Sequence, residues 1–181
     1  MKVSATKLKD CFVIEPAVFE DGRGYFFESF NQQKFEELTG IEIQFVQDNQ
    51  SKSTYGVLRG LHFQKGEHAQ AKLVRVLSGE VLDVAVDIRE DSKTYGEHIA
   101  VRLSAENKKQ LFLPRGFMHG FVVLSDECEF FYKCDNYYNK HAEGGIIYND
   151  SSLNIDWLVP ENKLIISEKD IILPEIKRNI V

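Results

Sequence analysis

Six short runs between Lys72 and Cys134 constrain this chain more than anything else in it. Lys72–Leu77, Val81–Ile88, Ile99–Leu103, Gln110–Leu113, Gly120–Leu124 and Glu129–Cys134 are rich in β-branched and aromatic residues, and turn residues separate them at close spacing. Runs of that length suit strands rather than helices, and strands in such succession bury their apolar faces by closing on one another. The expectation is an all-β sandwich or barrel. Three intervening turns, Leu77-Ser-Gly-Glu80, Leu103-Ser-Ala-Glu106 and Leu124-Ser-Asp-Glu127, share a Ser-initiated pattern. Their unequal spacing makes them turns of a meander, not units of a solenoid.

Helical signals are confined to two short places. Asn31 suits an N-cap and Gly40 a C′ stop for a helix over Gln32–Thr39, while Ser167-Glu-Lys-Asp170 has the form of a capping box opening a final turn. Asp21-Gly-Arg-Gly24 reads as a turn, and Tyr25–Phe30 after it as a strand. From Asp150 the pattern gives way to short segments with two prolines, yet no compositional shift marks a linker. The tail is therefore expected to fold back on the barrel, within one domain spanning residues 1–181.

Composition excludes several classes. Twenty-two Lys and Arg against 28 Asp and Glu leave a net charge of −6, which disfavours a nucleic-acid partner. Cys11, Cys128 and Cys134 are odd in number and include no CxxC pair, which suits a reducing cytosol and argues against structural zinc. Met1–Asp10 is polar, and no apolar run approaches the ~18 residues of a membrane span. A cytoplasmic protein with no membrane partner is expected.

Chemistry-bearing residues concentrate in three stretches. In Gly56-Val-Leu-Arg-Gly-Leu-His-Phe-Gln64, strict alternation puts His62 on one face with Leu58 and Gln64, and Arg59 on the other. A bulge at Gly60 would bring both side chains to one site. Pro114-Arg-Gly-Phe-Met-His119 matches the PxGxxH signature of cupins, small jelly-roll barrels in which that His often binds a metal. The partner HxH signature is missing, because Gln64 stands where its second His belongs, so a metal-free barrel is expected. In Glu129–Tyr138, alternation puts Cys128, Phe130, Tyr132 and Cys134 on one inner face. Unflanked by any base, these cysteines read as inert core residues. Taken alone, His62 fits a structural strand histidine and Tyr132 a satisfied core tyrosine.

Together these stretches resemble the dTDP-4-dehydrorhamnose 3,5-epimerase family, metal-independent cupins of deoxysugar nucleotide synthesis. The resemblance rests on Asp21-Gly-Arg-Gly-Tyr-Phe-Phe-Glu28, Phe45-Val-Gln-Asp-Asn49, Arg59–Gln64, Ala71-Lys-Leu-Val-Arg75, the PxGxxHGF run and Tyr132-Lys-x-Asp-x-Tyr-Tyr138. These occur in family order from about Val13 to Asp170. It implies a cupin jelly roll with short N- and C-terminal helical segments, no cofactor, a dTDP-sugar substrate and a homodimer with sites completed across the interface. It further implies that His62 is the proton acceptor paired with Asp170, that Tyr132 is the donor, and that Lys72 and His119 contact the sugar. Arg59 and Lys169 would take the diphosphate; Arg23, Glu28, Gln47 and Asn49 would bind the thymidine portion. Tyr138 would stack on the base, and Glu143 falls where the family shows a ligand-facing carboxylate.

The residue chemistry suits such a reaction independently. Protons at C3 and C5 of a 4-keto sugar are both alpha to the ketone, and inverting those centres needs a base, an enolate-holding cation and an acid on the far face. A His, a Lys and a Tyr meet those needs. Met118, where Ala is more usual, is expected to narrow the barrel mouth. Three alternatives remain at this point: an epimerase acting at C3 or C5 only or on a related dTDP-4-keto-deoxysugar, a metal-dependent cupin oxygenase, and a sugar-nucleotide binding module without turnover.

Overall fold

Two sheets face each other, and all six runs marked by the sequence lie in them. The structure, a computed structural model, describes residues 1–176. Its strands are β1 (Lys2–Ala5), β2 (Phe12–Glu15), β3 (Val18–Asp21), β4 (Gly24–Phe27), β5 (Gln47–Thr54), β6 (Val57–Gln64) and β7 (Lys72–Ser78). They continue as β8 (Glu80–Asp87), β9 (His98–Ser104), β10 (Gln110–Leu113), β11 (Phe117–Val123), β12 (Glu127–Cys134), β13 (Glu143–Gly145) and β14 (Ile165–Ile166). Helices α1 (Gln32–Thr39) and α2 (Glu168–Ile171) and three short 3₁₀ turns, Gly66–His68, Lys140–Ala142 and Glu161–Lys163, complete the regular elements described. One sheet runs β1-β2-β10-β7-β12-β5 and the other β13-β6-β11-β8-β9, while β3 and β4 pair only with each other. This is the all-β cupin jelly roll.

Three apolar layers explain which strands lose their alternation. Between the sheets lie Val74, Val76, Leu111, Val81, Ala85, Phe121 and Phe130. Outside the second sheet, Leu58, Leu61, Val84 and Val122 pack against Leu153, Trp157 and Val159 of the tail. Outside the first sheet, Phe35 of α1 packs with Ile14, Leu73 and Phe112. Strands covered on both faces need apolar residues on both, so β11 is buried along its whole length. Edge strand β5, polar and alternately exposed, shows the opposite.

The tail returns as expected. Ile165 and Ile166 pair in parallel with Val57 and Leu58 of β6, and the backbone of Lys163 passes so close to Gly56 that a Cβ there would lie 2.2 Å from its carbonyl oxygen. The helix over Gln32–Thr39 forms between Asn31, whose side chain accepts from the Lys34 N–H, and a left-handed Gly40.

Three expectations are corrected. The strand after Gly24 ends at Phe27, not Phe30, because Glu28 and Asn31 turn to the start of α1: the Glu28 carboxylate accepts from Asn31 Nδ2 and Lys34 Nζ. Strand β11 begins three residues earlier than the apolar run suggests, since Phe117 already pairs with Asp87. Met118 does not reach the barrel mouth. It is fully buried in the layer behind the second sheet, with Leu61 and Trp157, because it alternates with the inward-facing His119.

Candidate active site

The interior changes character along its length: apolar at one end, polar and charged at the other. At the polar end a cleft of about 360 Å³ opens, walled by both sheets. Strand β6 contributes Arg59 and His62, β11 His119, β7 Lys72, β12 Tyr132 and β5 Asn49. Tyr138, Glu143 and Lys169 form the rim.

Strict alternation cannot put Arg59 and His62 on one wall, and the structure shows how they get there. His62 pairs with His119 and Arg59 with Phe121, so three residues of β6 span two of β11. The extra residue makes a bulge at Gly60, whose φ of +125 suits glycine alone and whose missing Cβ would lie 2.5 Å from the Gly120 Cα. Leu58 therefore faces the tail while Arg59 and His62 face the cleft, which corrects the shared face expected for Leu58 and His62. Gln64, in place of the missing imidazole, is buried and accepts from the Asn139 N–H at 2.9 Å.

His62 Nε2 lies 2.8 Å from Asp170 Oδ1, and Asp170 is buried almost completely. A carboxylate only accepts, so the proton sits on Nε2 and leaves Nδ1 as the basic nitrogen. Burial lowers the pKa of His62 below 6.5, more strongly than Asp170 raises it. The imidazole is thus neutral near pH 7. On the facing sheet, burial holds the Tyr132 phenol up at about 12, so it keeps its proton. Lys72 Nζ lies 5.7 Å from the centre of the Tyr132 ring, and burial pulls its pKa below the usual lysine value.

A second His–carboxylate pair was not legible as a site. His119 Nε2 lies 2.8 Å from Asp83 Oδ2, and both are buried. Among the described residues, the other carboxylate oxygen of Asp83 has no hydrogen-bond partner, and burial raises the pKa of this side chain. An Asp in the middle of Val81-Leu-Asp-Val-Ala-Val86 was the available signal, since such a residue is rarely buried unpaired. Ser51, Phe121 and Phe130 also reach the cleft without having been singled out for it.

The rim residues are linked to one another. Glu143 accepts from Tyr138 OH at 2.8 Å and from Lys169 Nζ at 3.1 Å, which together hold its pKa low. Gln47 stands one step back, donating to Asn49 Oδ1 and accepting from the Tyr138 N–H. Arg59 donates to Ser53 Oγ at 3.2 Å. Arg23 and Glu28 do not join this group. Arg23 sits on the β3–β4 hairpin, 91% exposed and paired with Asp21, and Glu28 is engaged with Lys34. The buried cysteines have raised pKa values, about 12 for Cys11 and about 11 for Cys128 and Cys134, as inert thiols should. Among the described residues, no three His, Cys, Asp or Glu side chains converge as metal ligands would, and no helix is long and apolar enough to cross a membrane.

The dTDP-4-dehydrorhamnose 3,5-epimerase family model matches residues 5–178. The chain belongs to this family. It is 57% identical over 171 residues to the dTDP-4-dehydrorhamnose 3,5-epimerase of Shigella flexneri, covering 94% of this chain and 93% of that one. The crystal structure of the enzyme of that name from Elizabethkingia anophelis superposes with a TM-score of 0.94 at 63% identity, covering 97% and 96% of the two chains. A Legionella pneumophila epimerase, solved with dTDP-4-keto-L-rhamnose, gives 0.89 at 46% identity over 98% and 99%. This protein is accordingly an isomerase, a carbohydrate epimerase of the dTDP-rhamnose pathway type.

Proposed function

We propose that the protein inverts C3 and C5 of dTDP-4-dehydro-6-deoxy-D-glucose, giving dTDP-4-dehydro-L-rhamnose, with His62 as base and Tyr132 as acid. One observation carries this reading. His62 comes from one sheet and Tyr132 with Lys72 from the other, so base and acid stand on opposite walls of a single cleft. A sugar ring between them meets a proton acceptor on one face and a donor on the other.

Neutral His62 takes a proton from the carbon next to the ketone, and the positive charge it gains is balanced by Asp170. The electron pair moves onto the C4 oxygen as an enolate. Lys72, a compact cation in a buried setting, stabilises that oxygen far better than water would. His119, held by Asp83, contacts the sugar beside it. Tyr132, protonated and on the far wall, then delivers a proton to the opposite face of the carbon, and the configuration inverts. These steps use only the chain's own groups.

Recognition of the nucleotide follows from the rim. Arg59 and Lys169 supply positive charge for the diphosphate despite the overall negative charge of the chain. Tyr138 offers its exposed ring to the base, with Gln47, Asn49 and Glu143 around it. Arg23 and Glu28 are proposed to complete the site of a partner copy in a homodimer. Their hairpin supports this: Phe19, Tyr25 and Phe26 are 60% or more exposed, a concentration of apolar surface that favours a partner.

Incubation with substrate in D2O tests the reading. Two deuterons incorporated per sugar, at C3 and C5, are expected; a single deuteron would make it a one-carbon epimerase, and none would overturn it.

A further inference from the structure

The segment that brings Asp170 to His62 is a single helical turn with little of its own to hold it. Only Asp170 of α2 is buried; Glu168, Lys169 and Ile171 are exposed. The chain is anchored before the turn, where the Ile165 N–H donates to Gly56, and after it, where Pro174 accepts from the Ile147 N–H. Between those anchors an isolated turn is costly to form, because it fixes several dihedral angles for very few hydrogen bonds.

Ser167 lies at its start. The Asp170 N–H donates to Ser167 Oγ at 3.3 Å and to the Ser167 carbonyl at 3.0 Å. In a full capping box the carboxylate of Asp170 would bond back to the Ser167 N–H. Here it is drawn away, accepting from the Gly60 N–H at 3.4 Å and from His62 Nε2 at 2.8 Å. Among the described residues, the Ser167 hydroxyl thus makes the only side-chain hydrogen bond to the backbone of this turn. We propose that Ser167 is a positioning residue for the base: its hydroxyl fixes the turn that aims the Asp170 carboxylate at His62.

This inference rests on the assignment of His62 as base. Three charged groups act on His62 from adjoining elements. Asp170 and Glu143 raise its pKa, and Lys169 lowers it. Across the cleft it faces Lys72, His119 and Tyr132, with Arg59 on its own strand. Loosening Asp170 removes the nearest of the groups that favour the protonated form. The pKa of His62 falls further, and the acid limb of kcat/KM moves to lower pH. The plateau falls at the same time, because the imidazolium formed in the reaction is less well balanced. Since Ser167 is exposed, its replacement leaves no core cavity.

The test measures kcat/KM against pH for Ser167→Ala and Ser167→Thr, and for Ser167→Ala combined with Asp170→Asn. Ser167→Ala should lower the plateau about three- to tenfold, the size of a lost N-cap, and shift the acid limb downward. Ser167→Thr, which keeps the hydroxyl, should restore both. In the Asp170→Asn background Ser167→Ala should add nothing. An unchanged profile for Ser167→Ala overturns the proposal, as does an equal loss in both backgrounds with the limb unmoved, which is what simple loss of folded protein gives. An Asp170→Asn profile with an unmoved acid limb would instead overturn the pairing of His62 with Asp170, and this inference with it.

Discussion

The cleft interior and the β3–β4 hairpin carry residues of the same proposed site under opposite conditions. Inside, His62 and His119 each rest on a buried carboxylate, and Lys72 and Tyr132 stand on the cleft wall formed by the facing sheet. Outside, Arg23 is almost wholly exposed and its ion pair with Asp21 is one that water screens. The groups proposed to move protons are thus preorganised within one chain, where low dielectric strengthens their interactions. Arg23 and Glu28, two of the groups assigned to thymidine recognition, sit at an arm that this chain's own cleft does not use. The proposed site is thus divided between an enclosed interior and a surface suited to a second copy.

Breaking the interior should cost most. Replacing His62 with Asn removes the base, and kcat/KM should fall about 10²- to 10⁴-fold, with solvent exchange at C3 and C5 lost as well. Mixing subunits sharpens the division between the two regions. If Arg23 serves the partner's site, combining His62→Asn chains with Arg23→Ala chains, whose turnover is low at substrate well below KM, leaves one intact site in each mixed dimer. Activity should then recover to about a quarter of wild type. No recovery, or a fully active monomer by light scattering, would refute the shared site. Arg23→Ala by itself should act on binding: KM for the dTDP-sugar rising about tenfold while kcat holds, because the arm touches no reacting atom.

Acidity separates the regions more gently. With His62 below 6.5, kcat/KM should fall as the pH drops through that pKa, since the base must be neutral. On the alkaline side Lys72, lowered from 10.5, should lose its proton before Tyr132 at about 12, so the upper limb belongs to the lysine. Asp170→Asn should move the lower limb downward and lower the plateau, while the upper limb stays in place. Met118→Ala should have the smallest catalytic effect. It empties space behind the second sheet, costing about 2–5 kcal/mol of stability in thermal unfolding while kcat stays roughly unchanged.

The sequence carried the strand framework well, because β-branched runs, Ser-led turns and an Asn31–Gly40 helix are local signals. It carried most of the cleft only through the family resemblance, since taken alone His62 reads as a structural strand histidine and Tyr132 as a core tyrosine. What it hid was anything that depends on pairing. Gly60 marks the bulge in β6 that brings Arg59 and His62 together, but the partner that forms it, Gly120 of another strand, is not a local signal. Met118 was assigned to the wrong side for want of knowing which face of β11 the tail covers. Asp83 was passed over because an aspartate in an apolar strand declares itself a partner of His119 only when β8 lies beside β11.

The division of labour between the two walls is tested most directly by Tyr132→Phe in D2O, followed by NMR at C3 and C5. The substitution removes the hydroxyl and leaves the ring in place, so His62 still abstracts a proton and Lys72 still holds the enolate. Where the base exchanges with solvent before returning its proton, deuterium should enter while the configuration at C5 is retained. Epimerisation at the wild-type rate would contradict the account and leave Tyr132 a core residue.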